Sequence, residues 1–354
     1  RGLGDVYKRQ DNTTGYSYQF QNFGKTSNRG IELSVNVDVI NKGDFRFNVG
    51  AIYNYNRNKL DELPNADQYL YSSYWGSSSL VPTNDYMFVE GKAIGLVRGF
   101  ISEGYYTVDD FNYTNGQYVL KEGVPDITKA LTATYMHPYD LPAGQTAFPG
   151  AAKFRDVDES GTVDLDDATC LGEVMPRHTG SFQLNFNYKN FDLSTNFNWT
   201  AGGKVYNVAA MINASGQEFD GIGAQRASWV ADAFKVYNVN AAGDLYAVTN
   251  PDELRALNAN AKYHLPYHQS GITSSEWLEN GSYLRLQTLT LGYTLPKNWL
   301  TKVHVDKIRL YLTATNLFTI TGYSGIDPEV NANPTGQSGF YSDCLLYTSP
   351  SPRD

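Results

Sequence analysis

Apolar and polar residues alternate along RGIELSVNVDVI, residues 29 to 40: Ile31, Leu33, Val35, Val37 and Val39 take one side, Glu32, Ser34, Asn36 and Asp38 the other. Successive side chains of a strand point to opposite faces, so this stretch reads as a strand with one greasy and one wet face. Five more stretches repeat the pattern. FRFNVGAIYNYN, 45–56, puts Phe45, Phe47, Val49, Ala51, Tyr53 and Tyr55 together, with Ile52 out of step. SFQLNFNY, 181–188, and FDLSTNFNWT, 191–200, behave alike. Leu284–Leu295 follows in its later half through Leu289, Leu291, Tyr293 and Leu295, and 307–318 through Ile308, Leu310, Leu312 and Ala314. Arg285 and Gln287 share the phase of Leu289 and are expected to point the same way, beyond the apolar zone.

The spacing of these stretches constrains the fold further. NKGD at 41–44 and the turn within YKNFD are short, and PKNWLTKVHVD joins the last two stretches; the other two connections are each several tens of residues long or more. Connections beyond about 15 residues are uncommon in a compact domain. Short and long connections alternate, so an up-and-down sheet would gather every short turn at one end, as outer-membrane barrels do. Two readings compete for the greasy face. A sandwich core would use strands of about 5 to 6 residues and Greek-key connections. A membrane strand needs about 9 to 11 residues, and Tyr53, Tyr55, Trp199 and Tyr293 fit an interfacial girdle. The favoured fold is all-β: a partial antiparallel transmembrane β-barrel of about six strands with two long surface loops, about 63–179 and 201–281. The alternative is a secreted or surface β-sheet module binding glycans, with a second sheet packed over Val35, Val37 and Leu193.

Composition removes other classes. RGLGDVYKRQ at the start and CLLYTSPSPRD at the end can be encoded by one short DNA element read in opposite orientations. Residues 1–10 and 344–354 are therefore read as adapter-derived, and 11–343 as an internal piece of a longer protein. Setting the ends aside takes the formal charge from −9 to −11, which argues against nucleic-acid binding. Cys170 is then the one remaining cysteine, allowing no internal disulfide or cysteine metal cluster. No apolar run reaches the roughly 18 residues of a membrane helix, which excludes helical spans only.

DVDESGTVDLDD, 156–167, fits a calcium-loop template: Asp156, Asp158 and Ser160 at positions 1, 3 and 5, Gly161 at 6, Thr162 at 7, Asp164 at 9 and Asp167 at 12. Ser160 and the short Asp167 depart from the usual ligands. The competing reading is an Asp/Gly turn whose carboxylates accept backbone amides. His264 and His268 flank Pro266, which disfavours a helical metal pair, and His137, His178 and His304 are scattered. No catalytic motif is present, so no enzyme activity is expected. Tyr69, Tyr71, Tyr74, Trp75, Tyr105, Tyr106, Trp229, Tyr263, Tyr267 and Trp277 lie in the long loops, as ligand platforms or as packing.

Several stretches resemble SusC-type (RagA-like) TonB-dependent outer-membrane transporters of Bacteroidetes. They are NRGIELSVNVDVI with FRFNVGAIYNYNRNKL, FVEGKAIGLVRGFISEGYYTVDDF, FPGAAKFRDVDESGTVDLDDATCLGEVMPRHTGSFQLNFNYKNFDLSTNFNW, ENGSYLRLQTLTLGYTLP and KIRLYLTATNLFTITGYSGIDPEV. The resemblance implies a 22-stranded barrel with an N-terminal plug, of which this chain holds about six late strands. It also implies oligosaccharide or peptide import, driven through the TonB complex, with a SusD-like surface lipoprotein as partner and outer-membrane lipid around the wall.

Overall fold

The computed structural model describes residues 5–9, 18–22, 24–63, 68–72, 81–132, 137–208, 210–211, 227–265, 272–301 and 305–329. Six strands form one antiparallel sheet in which every neighbour in sequence is a neighbour in space. They are β1 (Lys25–Lys42), β2 (Phe45–Glu62), β3 (His178–Tyr188), β4 (Phe191–Ala201), β5 (Tyr283–Thr294) and β6 (Arg309–Thr321). A separate two-stranded ribbon pairs Asp5–Arg9 with Tyr18–Asn22.

The short connections sit together. Gly43 (φ +59°) and Lys189 (φ +52°) take the left-handed backbone that a two-residue hairpin loop needs. Adjacent turns are stitched: Lys189 N donates to Asp44 O at 3.1 Å, and Thr294 N to Asn190 O at 2.8 Å.

Cross-strand partners share a face, so the register assigns one. Val35, Ala51, Phe182 and Phe197 form one apolar row, and Val37, Val49, Leu184, Thr195, Leu289 and Ala314 the next. Aromatic rings bound the stripe at both ends. At the loop end Tyr53 lies 6.1 Å from Trp199 and its hydroxyl 2.8 Å from His178 Nδ1. At the turn end Phe191 lies 4.6 Å from Tyr293 and Phe45 6.5 Å from Tyr188. Ten residues of rise, at about 3.4 Å each and a barrel tilt of about 40°, make a band about 25 Å tall, the height of an outer-membrane hydrocarbon layer. Among the described residues no second sheet covers this face: Ile31, Leu33 and Val35 are 60%, 57% and 55% exposed and Leu312 is 71% exposed. The sandwich reading therefore fails. Thr195, the hydroxyl within the apolar row, bonds the Leu184 carbonyl at 3.3 Å.

The other face is wet and cross-linked. Asn48 donates to Asn36 (2.7 Å) and Asp38 (2.9 Å), Ser194 to Asn185 (2.6 Å), and Asn196 and Asn198 both to Gln287 (3.0 and 2.9 Å). Arg309 closes the row on Asp192 with two bonds of 3.0 and 2.5 Å. Ile52, opposite Ser34 and Ser181, is an apolar exception on this face.

Two expectations from alternation are corrected by β-bulges, which insert one residue and shift the phase. On β5 the register slips around Gln287 against both neighbours, and Asn316 (φ +51°) marks the slip on β6. Leu284 and Leu286 thereby join Trp199 and Phe197 on the apolar face, while Arg285 faces Thr319 on the wet one. Arg285 and Gln287 are thus not outward. On β1 the slip at Val39 puts Ile40 opposite Phe47.

The two faces make opposite predictions for neighbouring residues. Leu184→Arg, near mid-band, is expected to cost about 2–4 kcal/mol of barrel stability. Gln183→Arg, one residue away on the wet face, should cost little. Urea unfolding of the whole protein in detergent reads both.

Candidate functional site

Above the loop end, the described residues of connections 63–177 and 202–282 fold into each other. One core unites Phe100, Tyr106, Phe148 and Val163 of the first with Phe234, Val248, Leu254 and Ile272 of the second. A second core packs Tyr86, Val97 and Val174 against Tyr206, Trp229 and Trp277. Backbone bonds pass between them: Phe100 N to Thr273 O (2.8 Å), Ser275 N to Phe100 O (2.9 Å) and Leu265 N to Gly150 O (2.8 Å). The approach is close enough that a Cβ on Gly99 would fall 2.3 Å from the Thr273 carbonyl oxygen. The result is a single lid over this end of the sheet.

Among the described residues, most of these loop aromatics are packing. Tyr106 is fully buried and bonds Pro125 O at 2.8 Å; Tyr105 bonds Ala261 O at 3.0 Å. Trp229 and Trp277 are buried, and Tyr263 stacks on Trp229 at 5.1 Å. Tyr71 is exposed. Tyr74, Trp75, Tyr267 and the Tyr69 side chain lie outside the described residues, as do His268 and His304. In the long connections, the exposed aromatics Tyr113 and Tyr237 went unread in the sequence. Tyr113 sits beside the hairpin turn Asn115–Gly116, and an Asn-Gly pair is itself a hairpin signal.

The acidic loop brings together Asp156, Asp158 and Asp167, whose carboxylate oxygens lie within 4.8 Å of one another. Each also serves the backbone. Asp167, fully buried, accepts from Val157 N (2.6 Å), Asp158 N (3.3 Å) and Asp164 N (2.8 Å). Asp156 accepts from Ser160 N (3.1 Å) and Gly161 N (2.7 Å). The bond from Ser160 N holds the Asp158 carboxyl below the usual range. Asp164 is diverted to cap the short 3-10 turn that follows, accepting from Asp166 N at 2.8 Å. Ser160 Oγ donates to Thr162 O at 3.0 Å, engaging two other template positions with each other. Three hard carboxylates fit a divalent cation.

The wet side of the rim holds a polar latch that sequence reading missed. Arg285 bonds Thr319 (3.0 Å), Asp327 (2.6 Å) and Glu329, and Glu329 also takes the Tyr283 hydroxyl. Asn207, which is buried, and Glu279 hold Ser324 beside it, through Asn207 to Glu279 at 2.7 Å and Ser324 N to Glu279 at 2.6 Å. Gly322–Glu329 is thereby tied down over β5. The signal was an arginine inside a strand and the acidic pair in IDPE, visible only once the bulge is placed.

Within the lid, His264 is buried and its Nε2 lies 3.7 Å from Glu276. Burial pushes the Glu276 carboxyl above the usual range, with His264 opposing in part. A raised folded-state pKa means the native lid binds this proton more tightly than the unfolded chain. The contribution is complete below the ordinary carboxylate pKa and is lost as pH rises through the raised value. Lid melting in the whole protein, followed by Trp229 and Trp277 fluorescence, should fall over that window. Glu276→Gln should flatten the dependence.

No family model matches the chain. In sequence it is similar to TonB-dependent receptor P3 of Formosa agariphila, 29% identical over 318 residues, covering 90% of this chain and 26% of that protein. TonB-dependent receptor SusC of Bacteroides thetaiotaomicron is 25% identical over 327 residues, covering 89% and 25%. The chain thus spans about a quarter of the length of these relatives. In fold it matches the structure of the RagAB peptide transporter with a TM-score of 0.60 at 22% identity, over 92% of this chain and 29% of that one. The open-open state of the RagAB peptide importer gives 0.60 at 20% identity, over 92% and 28%. These relatives are receptors and transporters, and none is named for a catalysed reaction. Sequence, topology and the bare apolar stripe agree: the chain is a stretch of outer-membrane β-barrel, similar in sequence to TonB-dependent receptors and in fold to the RagAB transporter.

Proposed function

We propose that the protein is part of an outer-membrane nutrient importer, taking up oligosaccharides or peptides with a SusD-like lipoprotein and energised through TonB. One observation carries the reading: a single sheet with an uncovered apolar stripe on one side and a hydrogen-bonded amide and hydroxyl lining on the other, roofed by a folded lid. Asn, Gln, Ser and Thr along that lining suit a neutral, hydrogen-bonding solute, the shared chemistry of sugars and peptide backbones. Relatives named as TonB-dependent receptors, and the likeness to a peptide importer, support it. A secreted glycan-binding module would leave the stripe in water, at about 25 cal/mol per Å² of apolar surface. The test is uptake by cells whose full-length receptor gene is deleted and restored. Growth on one class of oligosaccharide or peptide should be lost, return with the gene, and fail again without TonB. Unchanged growth on all of them would refute the importer.

We further propose that Asp156, Asp158 and Asp167 hold calcium weakly, in the range of about 10⁻⁴–10⁻³ M found for extracellular modules. The amide bonds that already satisfy these carboxylates support a turn that folds first and binds afterwards. Millimolar calcium should slow amide exchange across 156–161 in the full-length receptor but not in its Asp158→Asn variant. Equal exchange in both, with and without calcium, would end the proposal.

A further inference from the structure

On the lipid-facing side, β1 and β2 run on past the girdle as a two-stranded ribbon. Register carries the outward phase upward: Ile31 faces Tyr55, then Arg29 faces Arg57, then Ser27 faces Lys59. The inner side of the ribbon is taken by the lid. Asn58 accepts from Ile94 N at 2.7 Å, Leu60 is buried, and Leu60 N donates to Lys92 O at 2.9 Å. Arg29, Arg57 and Lys59 therefore point away from the lid, and all three are exposed. Arg29 and Arg57 stand about 7 Å along the strand above the ring of Tyr55 and Lys59 about 14 Å, less after tilt, which is headgroup height for a chain whose girdle marks the interface.

Two arginines directly opposite each other on one face of an antiparallel pair repel, and such a pair is destabilising by itself. Among the described residues neither Arg29 nor Arg57 has an ion pair, whereas Lys59 has Asp61 at 3.6 Å. A guanidinium presents a planar fork of donors matched to phosphate oxygens. One phosphate between the two forks would replace a repulsive contact by two charge-assisted ones. Its acyl chains would then lie along Ile31, Leu33 and Val35 directly below.

We propose that Arg29 and Arg57, with Lys59 at the margin, form a binding site for the phosphorylated headgroup of an outer-leaflet glycolipid. The proposal rests on the lipid-facing assignment of the sheet and is independent of which solute is imported. The probe is a monophosphorylated, acylated glucosamine disaccharide, compared with its dephosphorylated form, on the full-length receptor in detergent by native mass spectrometry. The wild type should bind the phosphorylated lipid at least tenfold more tightly. Arg29→Gln/Arg57→Gln should lose that preference, Arg29→Lys/Arg57→Lys should keep most of it, and Lys42→Gln, at the other end of β1, should leave it intact. If the double variant does not insert, each single Gln variant should lose part of the preference. Retention of the full preference by the Gln variants overturns the site. Displacement of the lipid by inorganic phosphate at equal affinity would also overturn it, assigning the pair to free anions. Solute uptake, measured alongside, separates either failure from a failure of the importer reading.

Discussion

The structure depends on a difference in solvent across one layer of backbone. A sheet that separates hydrocarbon from water has to pair its amides and carbonyls within itself, because the lipid side offers them no partner. The ladder from β1 to β6 does this strand by strand. The side chains then divide: rows such as Val37, Val49, Leu184 and Leu289 meet lipid, and Asn36, Asn48, Asn185 and Ser194 meet water. Thr195 shows how strict the division is. A hydroxyl on the apolar side turns back to a carbonyl of the neighbouring strand.

That division is legible in sequence because it has a period of two and needs no partner to be seen. Alternation and the order of short and long connections located all six strands. The structure lengthens several of them, most of all β1 and β2, whose ribbon rises past the sheet to Lys25 and Glu62. What alternation misses is its own interruption. A bulge costs one residue and reverses the phase, and nothing in LRLQTLTLGY says that Gln287 is the extra one. The sign appears in the partners, where Asn196 and Asn198 both reach its side chain. The reading of Arg285 as outward failed for that reason.

The lid was less legible, and the cause is separation along the chain. Its cores join residues such as Phe100 and Ile272, or Val97 and Trp277, and no local pattern announces such contacts. Aromatic content alone did not say which rings face a ligand; Tyr106, Trp229 and Trp277 are spent on packing. The acidic loop lies between these cases. Its template was visible in the spacing, and the geometry then split it, gathering Asp156, Asp158 and Asp167 while Asp164 caps a turn.

The interweaving of the two long connections bears on how the molecule is built. Neither can complete its hydrophobic interior alone, since Phe100 waits for Ile272 and Trp229 for Val97. Each needs the other on the same side of the sheet before its rings are covered, so the shared cores are expected to close only after both connections are in place. The same mutual dependence means that drift in one connection is constrained by the other, and the pair is expected to diversify as a unit.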